Sequence, residues 1–390
     1  MKSFKFIDRI PMPVGVFLLI RLLLVTALPL DGLRGYGDFA HFYQMAALPG
    51  LPYLNYWSEF PPVFPFLSEM LYWAAGGKEH IFTYLLVFLL TAADCGSLLL
   101  FLRIQRLVSP TGGEGRTWVY AAILAALPYG WWYFDSLAVF FLMLGLSLAL
   151  ENRSGWKVGA VLGLGALTKL FPLLALPAVV HRKSGYKGVI TVLSAFFVTV
   201  GVYGALYAAS PEMTHASLVS QSSKGSWETI WALIDGNFQT GNFGGEWERL
   251  DPSTAQILRG NPAVISPWVI LAALGLIGFY FWLKYNPATP KSRLIFTGLT
   301  ATLFFLATSG WSPQWVLYLL PLILLTFTEG EAQIMAVLWV LINLCEWPLL
   351  LSRGLWWGLW LTIPLRTILL LLFAWSWIQA LRYPPEEAIL

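Results

Sequence analysis

The chain has 390 residues, 57% of them hydrophobic, 16% aromatic and 12% charged, with a formal net charge of +3. Soluble domains carry about 25% charged residues, so this composition excludes a soluble globular enzyme, and the lack of any basic block excludes a nucleic-acid partner. Apolar runs recur from residue 12 to residue 382 between mostly short charged loops, which describes one integral membrane domain over 1–390.

In chain order the apolar runs predict spans at 12–30, 81–102, 118–130, 133–150, 157–168, 170–181, 188–208, 264–284, 293–309, 314–328, 331–346 and 358–381. The first follows Lys2, Lys5 and Arg9 and has no small-residue cleavage site, so it reads as a retained helix and not as a signal peptide. The fold class expected is an all-α polytopic membrane protein with about 12 transmembrane helices. Several runs are shorter than the ~20 residues of a full crossing, notably the pair around "ALTKLFPLLALP", which predicts half-helices or hairpins buried within protein. Segment 60–76 holds Glu69 and three prolines, which favours an interfacial helix over a span.

With 60–76 kept on the surface, one side of the membrane collects Lys2, Lys5, Arg9, Arg103, Arg106, Arg116, Arg153, Lys157, Arg182, Lys183, Lys187, Lys284, Lys291, Arg293 and Arg382. The other side has Arg34, Lys78, Lys224, Arg249, Arg259 and Arg353. The positive-inside rule then places both termini in the cytoplasm and turns two long loops outward, 31–80 and 209–263. Acidic residues concentrate in these loops, among them Asp38, Glu59, Glu69, Glu228, Glu246 and Glu248. Cys95 and Cys345 both fall inside apolar runs, so no structural disulfide is expected. No internal repeat is visible, which disfavours duplicated transporter architectures.

A charge at mid-membrane costs at least ~2.5–3.5 kcal/mol, so Arg21, Asp94, Lys169 and Arg366 each call for a partner or a task. Arg21 and Asp94 are expected to pair across the first two helices. Lys169 sits at a break between two short apolar segments, ahead of Phe171 and Pro172, where freed backbone groups and a cation suit an anion site near the outer surface; the alternative is a lysine snorkelling to the interface. Arg366 is either a ligand for a lipid phosphate or half of a structural ion pair. The run "GAVLGLG", residues 159 to 165, has the small-residue spacing of a close helix contact.

Nucleotide and metal signatures are missing: there is no Walker loop, HExxH, cysteine cluster or Asp-x-Asp, and the four histidines are scattered. Chemistry therefore rests on carboxylates and basic residues, with no cofactor and no metal expected. Asp38 lies beside His41 and Tyr43, with Tyr53, Tyr56 and Trp57 following, and such aromatic faces suit sugar rings. If that piece is helical, Asp38 and His41 share a face; a loop aspartate is otherwise a solvated group or a helix cap.

These residues resemble the GT-C superfamily of membrane glycosyltransferases, in particular the polyprenol-phosphate-mannose-dependent mannosyltransferases of glycosyltransferase family 87. "GDFAHFY" followed by "GLPYLNYWSEFPP" resembles that family's early aspartate, Gly-x-Pro-Tyr and Glu-Tyr-Pro-Pro signatures, with Phe60 at the tyrosine. "LGALTKLFPLLALP" is similar to its Lys-x-x-Pro-Leu-Leu-x-x-Pro element, and "SPQWVLYLLPLILL" to its Ser-Pro-Gln-Tyr element, with Trp315 at the tyrosine. "KGSWETIWAL", 224–233, resembles an Arg-Gly-x-x-x-Glu-Ser segment but is a residue shorter.

The resemblance implies a GT-C-like bundle with interfacial helices in its outward loops. It implies an inverting transfer of a sugar, mannose first, from a polyprenyl-phosphate donor to a glycolipid or lipid-linked glycan, on the outer face of a bacterial cytoplasmic membrane. Asp38 would be the catalytic base; Lys169, Arg366 and Gln314 would hold the donor phosphate; His41, Tyr43, Glu59, Lys224, Glu228 and Trp315 would bind sugar or acceptor. The competing class is a secondary transporter or a lipid or polyprenyl-phosphate flippase, for which intramembrane charges and a broken helix are ordinary.

Overall fold

Proline, glycine and charged loops cut the apolar sequence into helices at the segments that hydropathy marks. The computed structural model describes residues 10–110, 114–181, 184–239 and 243–383, and among them all regular structure is helical, with no strand. Lys2, Lys5, Arg9, Arg182 and Lys183, which enter the charge asymmetry, lie outside the described residues.

Helix α1 (Met12–Ala27) leads into the first long loop, which carries α2 (Phe39–Ala46) and α3 (Val63–Ala74). Then come α4 (Glu79–Val108), α5 (Gly115–Ala126), α6 (Asp135–Leu150), α7 (Gly155–Thr168) and α8 (Gly185–Ala209). The second long loop contains α9 (Pro211–Val219), and the chain continues through α10 (Pro267–Lys284), α11 (Pro290–Ala307), α12 (Val316–Thr326), α13 (Glu329–Leu344) and α14 (Leu359–Arg382).

Among the described residues, five stretches are long and apolar enough to cross a membrane: Glu79–Val108, Gly185–Ala209, Pro267–Lys284, Glu329–Arg353 and Trp356–Arg382. The expected span 170–181 is instead a 3₁₀ turn, Phe171–Ala175, joined to one α-helical turn, Leu176–Val179. Pro172 and Pro177 are the reason, since each removes a backbone donor that a continuous helix would use. Segment 60–76 yields only α3, whose 12 residues extend about 18 Å, short of a ~30 Å hydrocarbon core. It buries Phe64, Pro65, Ser68 and Glu69 and exposes Met70 and Trp73.

The core is built around α12, every residue of which is buried. α8 and α10 do the opposite and bury almost nothing, leaving apolar side chains outward as lipid-facing helices do. The small-residue run of α7 packs on α8 at backbone distance: a Cβ on Gly159 would lie 2.2 Å from the Thr191 carbonyl oxygen. Arg21 and Asp94 do pair, Nη2 to Oδ2 at 3.2 Å, and the same nitrogen donates to the Leu124 carbonyl at 2.7 Å. With Trp131 4.2 Å from the guanidinium, this buried pair ties α1 to α4 and α5.

The two long loops fold together at one end of the bundle. Trp57 Nε1 donates to the Asp251 carbonyl, the Ser58 amide to Ser217 Oγ, and Gln221 Nε2 to the Glu59 carbonyl. Residues separated by some 160 to 190 positions thereby form one cap over the ends of α6, α7 and α12.

Candidate active site

Asp38 is set at the start of α2 by a tight preceding turn. A Cβ on Gly35 (φ +48°) would lie 2.4 Å from the Trp132 ring, and one on Gly37 2.7 Å from Trp132 Cβ, so only glycine lets this loop press against the end of the α5–α6 connection. The Asp38 amide donates to the Trp132 carbonyl at 3.3 Å. The half-buried carboxylate makes no hydrogen bond with any described residue. Burial pushes its pKa up to about 6, against the lowering pull of His41, Lys169 and Lys224, and Asp135 adds to the rise. These four charged groups therefore lie within electrostatic reach of Asp38.

Lys169 ends α7 in extended backbone (φ −162°, ψ 141°) because Phe171-Pro172 stops the helix. Its Nζ donates to Asp135 Oδ1 at 2.7 Å and Oδ2 at 2.9 Å, and lies 5.1 to 5.7 Å from the rings of Phe134, Phe171 and Trp315. Asp135 opens α6 and is fully buried. Lys224, from the second loop, forms no ion pair with any described residue. It is gripped between Trp227 and Phe243, whose ring centres are 4.7 and 4.8 Å from Nζ. Burial lowers its pKa, opposed by the carboxylates of Glu59, Asp38 and Glu228.

Gln314, in the 3₁₀ turn Pro313–Trp315, is half-buried and its amide makes no hydrogen bond with a described residue. Trp315 stacks with Phe305 and keeps a buried, unpartnered Nε1. Arg366 is engaged within the protein: Nη1 donates to Glu346 Oε1 at 2.5 Å, Nη2 donates to the Glu228 carbonyl, and Trp311 lies 4.9 Å from the guanidinium. Of its two sequence readings, the geometry is that of the ion pair. Glu228 adopts φ +52°, is buried, and has one carboxyl oxygen, Oε2, with no partner. Burial and then the neighbouring Glu346 carboxylate raise its pKa.

Glu59 receives Arg249 in a bidentate pair, Nη2 to Oε1 at 2.7 Å and Nε to Oε2 at 3.1 Å, and also faces His41 Nε2 at 3.0 Å. Burial would raise its pKa, but the hydrogen bonds and charges of His41 and Arg249 win and hold it well below the usual carboxylate range. Such an anion is a poor base. His41 spends both ring nitrogens on carboxylates, Glu59 and Glu246, and Tyr43 turns away to donate to the Gly77 carbonyl at 2.7 Å.

The fold thus brings Asp38, Lys169, Lys224, Gln314 and Trp315 to one end, and commits Arg366, Glu59, His41 and Tyr43 to partners within the protein. Asp135, Arg249, Glu246 and Glu346 were missed. For Asp135 and Glu346 a signal existed: each is an acid inside an apolar run, as Asp94 is, and each neutralises one of the intramembrane cations. Arg249 and Glu246 carried none, because nothing local says which loop residue they meet. Among the described residues no group of three or more His, Cys, Asp or Glu is arranged to hold a metal ion.

Beside this site lies an apolar groove of about 480 Å³ between α8, α10 and α11. Leu174, Leu176 and Pro177 line it, so its wall begins a few residues after Lys169; Gly275, Gly278 and Phe304 close the far side. No family model, curated protein or solved structure matches the chain.

Proposed function

We propose that the chain is an inverting glycosyltransferase of GT-C type. It moves a sugar, mannose first among the choices, from a polyprenyl-phosphate donor to a glycolipid or lipid-linked glycan. The observation that carries this reading is Asp38: a carboxylate with no hydrogen-bond partner among the described residues and a pKa raised to about 6, within electrostatic reach of two lysines, one of which stands five residues before the wall of an apolar groove.

In the reaction, the acceptor hydroxyl oxygen forms a bond to C1 of the sugar as its proton passes to Asp38. The bond from C1 to the phosphate oxygen breaks, and polyprenyl phosphate leaves with the electron pair. General-base assistance contributes about 10²–10⁴ in rate. The departing phosphate monoester, with a second pKa of about 6, gains modest charge that nearby cations stabilise.

Lys224 is the cation for that role, since it has no carboxylate partner among the described residues, whereas Lys169 reaches a phosphate by sharing itself with Asp135. Gln314 and Trp315 Nε1 supply uncharged donors, and the prenyl tail occupies the groove. The site faces outward from a bacterial cytoplasmic membrane, with both termini inside. A transporter would need a polar path to the other side. The three intramembrane cations here are instead each closed by an acid, Arg21 by Asp94, Lys169 by Asp135 and Arg366 by Glu346.

The test is to incubate purified protein with β-linked polyprenyl-phosphate sugars and glycolipid acceptors, with and without chelator, and to read the new linkage by NMR. An α-linked product that survives chelation supports the reading. A β-linked product overturns inversion, and no product with any donor overturns the transferase.

A further inference from the structure

His41 lies one turn into α2 from Asp38, and both of its ring nitrogens face carboxylates. Nδ1 is 3.0 Å from Glu246 Oε1 and Nε2 is 3.0 Å from Glu59 Oε1. A neutral imidazole offers one N–H and one lone pair, so it would set a lone pair against one of these two anions. Only the imidazolium donates to both. Glu59 is also held by Arg249, so the cluster contains two carboxylates, one guanidinium and the imidazole, and its charges cancel only when His41 is protonated. Gln44, its amide turned nitrogen-first, adds donation to Glu246 at 3.2 and 3.3 Å.

The cluster crosses from one loop to the other. His41 belongs to α2 and Glu59 to the first loop, whereas Glu246 and Arg249 form the 3₁₀ turn Glu246–Leu250 of the second. The turn is connected to the site through Phe243, which lies 5.8 Å from the Arg249 guanidinium, 5.3 Å from the Trp57 ring and 4.8 Å from Lys224 Nζ. Other neighbours of His41 among the described residues are the rings of Phe42 and Phe60, and Asp38 just before its helix.

We infer that His41 is a positioning residue whose imidazolium, bridging Glu59 and Glu246, latches the second long loop onto α2 and so keeps Phe243 and Lys224 over Asp38. Its effect on turnover rests on the transferase reading; the latch does not. Burial and the Arg249 charge work against the charged imidazole, but the hydrogen bonds to Glu59 and Glu246 and the charge of Glu59 outweigh them, so its pKa is raised. A raised pKa means that the stabilisation is complete below the ordinary histidine value of about 6.5 and is lost as pH rises through the folded value.

The experiment is hydrogen exchange of residues 243–259 in the full chain in detergent, across pH 5.5 to 9.5, with the His41 titration followed by histidine-selective NMR. Protection factors in wild type should fall as His41 deprotonates, by about tenfold for each unit of raised pKa. His41→Arg, permanently charged, should stay protected to pH 9.5, and His41→Gln should show at every pH the lower protection that wild type reaches at high pH. In a donor titration, Glu246→Gln should raise KM more than it lowers kcat. Protection that stays flat in wild type through the His41 titration overturns the latch, whether or not the protein turns over. A pH-dependent latch in a protein without transferase activity supports the latch and overturns the transferase reading instead.

Discussion

Asp38 faces two lysines and is hydrogen-bonded to neither, so its charge is left for a substrate proton. Replacing it by Asn keeps the size and removes the proton-accepting oxygen, and kcat should fall about 10²–10⁴-fold with KM little changed. A general base acts ionised, so kcat/KM should rise with pH through an apparent pKa near 6, before the fall expected where His41 loses its proton and the loop loosens; the pH profile of the wild type checks this. Lys224 is predicted to grip phosphate. Lys224→Gln should therefore raise the donor KM at least about tenfold, the ~1.5–3 kcal/mol of a charge-assisted hydrogen bond. At this scale the sequence singled out Lys169, because a charge in an apolar run stands out, and Asp38 through the motif that its loop resembles. It did not carry the choice between Lys169 and Lys224, since that depends on Asp135 having taken the first.

Among the elements, the joint between the two long loops and the broken segment after α7 matter most. Arg249 and Glu59 are both buried, so Arg249→Ala leaves a buried anion without its main partner and should cost about 3–5 kcal/mol. Thermal unfolding in detergent checks it, with Glu59→Gln combined with Arg249→Ala less damaging than Arg249→Ala alone. The groove gives a second expectation. A Cβ on Gly278 would meet only Leu303 Cδ1 at 3.6 Å, so Gly278→Leu fits the fold while filling the space assigned to the prenyl tail. At ~0.8 kcal/mol per excluded CH₂, the KM for a long-chain donor should rise severalfold while a short-chain analogue is unaffected. The break at 170–181 was legible, since two prolines in twelve residues preclude a continuous helix. The seam between the loops was not, because it joins residues far apart in sequence by side chains with no local pattern.

For the whole molecule, hydropathy located the helices of the bundle, though not α2, α3 and α9 of the loops, since an apolar run with few charges has little choice in a bilayer. Which helix forms the centre was hidden, because α8, α10 and α12 are all apolar while only α12 is enclosed on every side. Packing of neighbours decides that, and sequence periodicity does not record it. The two long loops, the Asp38 carboxylate and the two lysines lie together at one end, while the groove runs along α10 and α11, and on that asymmetry the transferase reading depends. That reading is tested most directly by measuring release of polyprenyl phosphate from polyprenyl-phosphate-mannose by purified wild-type protein and Asp38→Asn, each with a glycolipid acceptor. Release by the wild type that falls at least about a hundredfold in the variant is the predicted result. Equal release by both proteins would contradict the role of Asp38, and release by neither would contradict the transferase itself.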